Sequence, residues 1–145
     1  MDKLKIEEYS EKLWQIHISV SGFYNEFAKS VGLTLTALKV LTILYKQKNC
    51  TQKYITQLTY LPKQTVNAII KGFNQQGYIQ EQTELDSDKR NKTISLTKEG
   101  LKYAEKIISK AKNAEYRALN NMGEEKRKTL IESLALYRQN LSIEE

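Results

Sequence analysis

The chain has 145 residues, a formal net charge of +6, an apolar share of 40%, one Pro and six Gly, the profile of a helix-rich globular chain rather than a disordered one. Cys50 is the single cysteine, which excludes an intramolecular disulfide. No apolar run approaches the ~18 residues of a membrane span, and Met1-Asp2-Lys3-Leu4-Lys5 lacks a signal-peptide core; the expectation is a cytoplasmic protein without a membrane partner.

The positive charge is unevenly placed. Residues 1–26 carry three lysines against five carboxylates, whereas residues 27–80 carry seven lysines and no carboxylate. A polyanion would dock on that middle segment.

In chain order, Ile6, Tyr9, Leu13, Ile16, Val20, Phe23 and Phe27 recur at steps of three and four and predict one long N-terminal helix with an apolar stripe. A helix of ~25 residues cannot bury such a stripe on itself, so it needs neighbours. Gly32 breaks it. Thr34 or Thr36 caps a second helix carrying Leu38, Leu41, Leu44 and Tyr45, which ends in the polar turn Lys46–Cys50. Asn49 or Thr51 starts a short third helix with Ile55 and Leu58. After Thr59-Tyr60-Leu61, Pro62 opens a fourth helix at its first position, and Gly77 closes it. Tyr78 and Ile79 begin a strand, Asp86-Ser87-Asp88 supply turn residues, and Thr93-Ile94-Ser95-Leu96 alternates as a returning strand does. Thr97 caps a fifth helix with the stripe Leu101, Ala104, Ile107, Ile108, Ala111, Ala114 and Ala118. A break at Asn120–Gly123 precedes a sixth, with Leu130, Leu134, Tyr137 and Leu141.

The predicted fold class is mainly α with a small β-hairpin wing: a winged helix-turn-helix lobe (residues 33–97) between an N-terminal dimerisation helix (1–32) and C-terminal dimerisation helices (98–145). The fourth helix carries the functional signal. Val66, Ile69, Ile70 and Phe73 form its apolar face, while Lys63, Gln64, Asn67, Lys71 and Asn74 fall opposite without a single acid. A merely solvated face mixes both signs of charge. Asn and Gln amides can bond adenine bidentately, Lys reaches guanine or phosphate, and Thr65 suits a phosphate or a thymine methyl. Thr51, Lys53 and Pro62 join the DNA-contacting set from the neighbouring turns, and Asp88, Lys89, Arg90 and Asn91 join it from the wing, where an arginine can enter the minor groove.

The stretch from Leu35 to Gly100 resembles the MarR family of bacterial transcription regulators. The resemblance rests on Leu61-Pro62-Lys63-Gln64-Thr65-Val66-Asn67, Gln76-Gly77-Tyr78-Ile79, the wing run Asp88-Lys89-Arg90, and Ile94-Ser95-Leu96-Thr97-Lys98-Glu99-Gly100, similar to the family's "LT-x-x-G" run. It implies a homodimer in which the first, fifth and sixth helices pair between subunits, with Ile6, Tyr9, Leu13, Ile16, Leu130, Leu134, Tyr137 and Leu141 in the interface. It implies a ligand-responsive repressor on a pseudo-palindromic double-stranded operator, with each recognition helix in the major groove and Arg90 in the minor groove, oriented by Asp88. A small aromatic or acidic effector is the implied ligand, and Trp14, His17, Tyr24 and Tyr45 are the residues placed to line its pocket. The sequence departs from the family at Glu81, where an arginine often starts the wing and pairs with the Asp, and Gly72 has no evident purpose within its helix.

His17 and a distant Cys50 cannot build a zinc site, so no metal and no cofactor are expected. Cys50, near a helix start and near Lys46, Lys48 and Lys53, reads as an alternative redox switch because those charges lower a thiol pKa. A winged-helix module that binds protein is the remaining alternative, and it calls for an exposed apolar patch on the fourth helix or wing. No nucleophile elbow, phosphate loop or carboxylate pair suggests an enzyme.

Overall fold

The computed structural model describes residues 2–86 and 89–143, with 84–86 and 89–91 described by their backbone alone. The elements are α1 (Lys3–Ser30), α2 (Leu35–Lys46), β1 (Cys50–Thr51), α3 (Gln52–Thr59), α4 (Lys63–Gln75), β2 (Ile79–Asp86), β3 (Lys89–Leu96), α5 (Lys98–Met122) and α6 (Glu124–Asn140). They form two compact units, Met1–Ile107 and Ile108–Glu145.

In the first unit, α1 packs on α2 through its C-terminal turns, where Ala28 is buried and Tyr24 and Phe27 are partly covered. Leu13 is also partly covered, while most of the remaining apolar residues of α1 stay out. Ile6, Tyr9, Ile16, Val20 and Phe23 are each about half exposed or more, and so are Leu4, Trp14 and Ile18, which lie off the stripe read from the sequence. The helix is therefore apolar on more than one face.

Thr34 caps α2, its Oγ1 accepting from the Ala37 amide at 3.1 Å. The sequence pattern assigned Leu38, Leu41 and Leu44 to the core; Val40 and Ile43 are buried as well. This helix is enclosed on most of its circumference, which is why its period is blurred. It packs against α3, α4 and β3, and Ile55, Val66, Ile70, Phe73, Ile79, Ile94, Ala104 and Ile107 complete the buried core. Full burial of a side chain such as Leu41, Leu44 or Ile55 stabilises the unit by about 1.5–3 kcal/mol each.

The hairpin expected from the sequence is one part of a three-stranded antiparallel sheet in the order β1-β3-β2. Cys50 and Thr51, read as the end of a polar turn and a helix start, pair with Ile94 and Thr93. In the wing the register runs from Ile79↔Leu96 to Asp86↔Lys89.

In the second unit, α5 continues to Met122, Gly123 (φ 77°) makes the break, and α6 follows. Leu119 and Leu130 are partly covered, but Ile131, Leu134, Leu136, Tyr137 and Leu141 are 46–62% exposed. Among the described residues no single helix is long and apolar enough to cross a membrane.

Candidate nucleic-acid interface

The helix-turn-helix is α3 and α4 with residues 60–62 between them. Thr51 accepts from the Tyr54 amide at 3.1 Å and so caps α3. At the far end Tyr60 takes a left-handed conformation, φ 57° and ψ 18°, and its amide bonds the Thr56 carbonyl at 3.1 Å. Thr59 Oγ1 accepts from the Leu61 amide at 3.3 Å. Pro62, expected at the first helical position, sits one residue earlier as the N-cap; its φ of −58° suits the approach, and its carbonyl accepts from the Val66 amide at 3.1 Å. Gln52 Nε2 donates to the Lys63 carbonyl at 3.2 Å and ties the start of α3 to the start of α4.

The two faces of α4 separate as the sequence pattern requires. Val66, Ile70 and Phe73 are buried and Ile69 is partly covered, while Lys63, Gln64, Asn67, Lys71 and Asn74 are exposed. Gln64 to Asn74 spans about 15 Å of helix, the rise of four to five base pairs. Thr65 is partly covered at the rim, and Lys53 and Pro62 are exposed beside the face. Among the described residues none of Lys29, Lys39, Lys46, Lys48, Lys53, Lys63 and Lys71 belongs to an ion pair, so the charge of this segment is uncompensated.

Gly77 ends α4 at φ +78°, a conformation that costs glycine nothing. Its amide bonds the Asn74 carbonyl and that of Tyr78 bonds the Phe73 carbonyl, both at 3.0 Å. Thr97 caps α5, accepting from the Gly100 amide at 3.0 Å. Gly100 has a tertiary reason: a Cβ there would lie 1.9 Å from the Tyr78 carbonyl oxygen. Gly72 faces open space, with nothing within 4 Å of a Cβ, so no close approach within the chain demands it.

Of the wing residues named from the sequence, Asp88 lies outside the described residues. Lys89, Arg90 and Asn91 are placed by register alone, opposite Asp86, Leu85 and Glu84. Glu81 has a partner of its own: its carboxylate lies 3.9 Å from Lys92 Nζ across a diagonal of the ladder. Both groups are largely exposed, so the pair is weak, but it ties up one wing lysine.

Several features were not read from the sequence: the Gln52 tie, the Glu81–Lys92 pair and the exposed aromatic edge of α3. Tyr60 is 83% exposed, with Leu58 and Tyr54 beside it at 54% and 38%. This apolar patch lies on α3 and the turn, while the outer face of α4 is polar.

The residues proposed for an effector are spread out. Trp14 and His17 adjoin on α1 with ring centroids 6.1 Å apart, Tyr24 meets Phe23 edge-on at 5.3 Å, and Tyr45 lies on α2. Helical rise puts Trp14 and Tyr24 about 15 Å apart, more than one small aromatic acid can touch.

Cys50 reverses the expectation of a lowered thiol pKa. Its side chain is buried in the sheet core, 3.9 Å from the Ile94 carbonyl, and loss of solvation pushes the thiol up. Lys46, Lys48 and Lys53 are exposed and act through water, so burial outweighs them.

This lobe is a winged helix-turn-helix, and comparison with known proteins shows what it is similar to. The MarR family sequence model matches residues 31–91, which span the helix-turn-helix and most of the wing. A MarR family regulator from Neisseria meningitidis is 29% identical over 88% of this chain and 92% of its own, with a TM-score of 0.68. A MarR/EmrR family transcriptional regulator from Acinetobacter sp. ADP1 has a TM-score of 0.74 at 21% identity, covering 90% of this chain and 94% of that one. MepR, a transcription regulator of the Staphylococcus aureus multidrug efflux pump MepA, has a TM-score of 0.66 at 21% identity over 92% and 98% of the two chains. No curated protein matches the sequence. The MarR resemblance read from the sequence thus stands: the central segment matches the MarR family model, and the fold is that of MarR winged-helix regulators.

Proposed function

We propose that this protein is a sequence-specific DNA-binding transcription regulator that acts as a homodimer, with α4 as the recognition helix and the β2–β3 hairpin as the wing. The observation that carries the reading is the outer face of α4. Its polar side chains are amides and lysines, they are free of carboxylates, and the buried Val66, Ile70 and Phe73 hold them outward.

Gln64 and Asn67 present donor and acceptor atoms to base edges in the major groove, and Lys63, Lys71 and Asn74 serve phosphate or guanine. Thr51, Lys53, Pro62 and Thr65 border the backbone of the same groove. Lys89, Arg90, Asn91 and Asp88 belong to the wing, with Arg90 suited to the narrow minor groove. The dimer rests on the exposed apolar residues of α1 and α6, among them Ile6, Tyr9, Ile16, Leu134, Tyr137 and Leu141, together with Leu13 and Leu130. Two-fold pairing of those helices would cover them and set two α4 helices on one duplex, about one helical turn apart, so the operator is a pseudo-palindrome. Action as a repressor released by a small aromatic or acidic effector follows the relatives' class; Trp14 and His17, or Tyr24 and Tyr45, are the residue pairs to probe.

Selection from a random duplex pool tests this reading. An enriched, two-fold symmetric sequence bound far more tightly than its scrambled counterpart supports it. A pool that enriches nothing while the chain stays folded refutes it.

A further inference from the structure

One residue of the first unit, Tyr78, is held by three elements at once. Its amide completes the cap of α4 at the Phe73 carbonyl, and its own carbonyl accepts from the Thr97 amide at the end of β3, each at 3.0 Å. Its ring stacks on that of Tyr103 in α5, with centroids 4.2 Å apart and planes within 10°. Thr97 adds a second tie, its hydroxyl donating to the Gly77 carbonyl at 2.7 Å. The backbone of α5 at Gly100 lies directly against the Tyr78 carbonyl. The end of the recognition helix, the root of the wing and the start of α5 thus meet at one corner.

We infer that Tyr78 and Tyr103 are positioning residues that hold the recognition helix and the wing at one mutual angle, so that both reach their grooves together; the inference rests on the DNA-binding reading above. The hydrogen bonds at Thr97 fix the strand ends, but the corner Gln76–Gly77 can still turn, because glycine offers little torsional resistance. The stacked ring pair opposes that turn, since turning the corner would draw the two rings out of contact. Any displacement of the start of α5 is passed through Tyr103 to Tyr78, and so to both DNA-contacting elements.

The test uses the full chain with Tyr103→Leu, which keeps apolar volume and loses the stack, and Tyr103→Phe, which keeps the ring. Tyr103→Leu should lower affinity for the selected operator about two- to tenfold. It should also shrink the cost of Arg90→Ala, because a misaligned wing has less to lose. Tyr103→Phe should restore both. A DNA-free arm follows amide hydrogen exchange: in Tyr103→Leu the amides of 77–80 and 94–97 should exchange faster while those of α2 hold. Unchanged exchange at the wing root, or an Arg90→Ala cost as large as in the wild type, overturns the proposal. If α2 opens too, Tyr103→Phe carries the test, and its failure to keep the wild-type coupling to Arg90 overturns the proposal. A wild-type chain that binds no duplex defeats only the DNA reading, and the exchange arm then decides the positioning role by itself.

Discussion

Gly100→Ala isolates the contact that joins the start of α5 to the wing root. The added methyl would sit 1.9 Å from the Tyr78 carbonyl oxygen, 2.7 Å from its carbon and 2.9 Å from its Cα. These are backbone atoms, so no side chain can swing aside. Reaching an ordinary separation requires a shift of about 1.5 Å, which breaks the 3.0 Å bond from the Thr97 amide and disturbs the ring stack. One lost hydrogen bond costs about 1 kcal/mol, a weakened one somewhat less, and the stack about 0.5–1.5 kcal/mol. Against this, alanine gains up to about 1 kcal/mol over glycine in a helix, less in its first turn. The expected net loss is about 2 kcal/mol, which lowers the urea midpoint by about 1 M at a slope near 2 kcal/mol/M. Gly72→Ala is the matched control. Nothing lies within 4 Å of its Cβ, so the propensity gain should appear alone and raise the midpoint by about 0.3–0.5 M. Both variants are compared with the wild type at one protomer concentration. If Gly100→Ala is as stable as the wild type, or if both glycines respond in the same direction, the close approach does not govern this corner.

Glu81→Gln should free Lys92 and remove a negative charge from the wing. Titrations on a scrambled duplex at several salt concentrations should show tighter binding and a salt slope steeper by up to about one unit, with stability changed by less than about 1 kcal/mol. For Cys50, burial raises the folded-state thiol pKa above its ordinary value of 9.0, so the folded chain holds its proton longer than the unfolded one. Its contribution to stability is therefore complete below pH 9 and declines as pH rises beyond it; Cys50→Ala should flatten that alkaline limb, and a thiol reagent at neutral pH should react slowly until urea unfolds the chain. Leu134→Asp places a charge at a residue already 46% exposed in the protomer, so sedimentation should find monomers with unchanged circular dichroism. A variant that sediments with the same mass as the wild type removes α6 from the interface of the proposed dimer.

The most legible part of the sequence was α4, where a strict 3.6-residue period separates Val66, Ile70 and Phe73 from Gln64, Asn67 and Lys71, and Gly77 marks the end. Cys50–Thr51 was missed because two residues leave no alternation to read, and their strand character comes wholly from pairing with Thr93 and Ile94. Val40 and Ile43 lay outside the expected stripe because α2 is enclosed by its neighbours. The Glu81–Lys92 pair depends on wing register, which composition does not fix. The effect on Cys50 was misread for a similar reason: nearby lysines are visible in sequence, whereas burial is a tertiary property. The contact between Gly100 and Tyr78 is equally invisible until α5 is set against the wing root.

Base reading by α4 is decided by the affinity of Asn67→Ala for the selected operator and for a scrambled duplex, over several salt concentrations. Asn67 is exposed in the middle of the polar face, and its loss leaves the buried face of α4 untouched. A base-reading Asn67 gives a loss of about 1–3 kcal/mol on the operator, relaxed preference at one base position in each half-site, and little change in salt slope. Equal losses on both duplexes, or no loss on the operator, would contradict it.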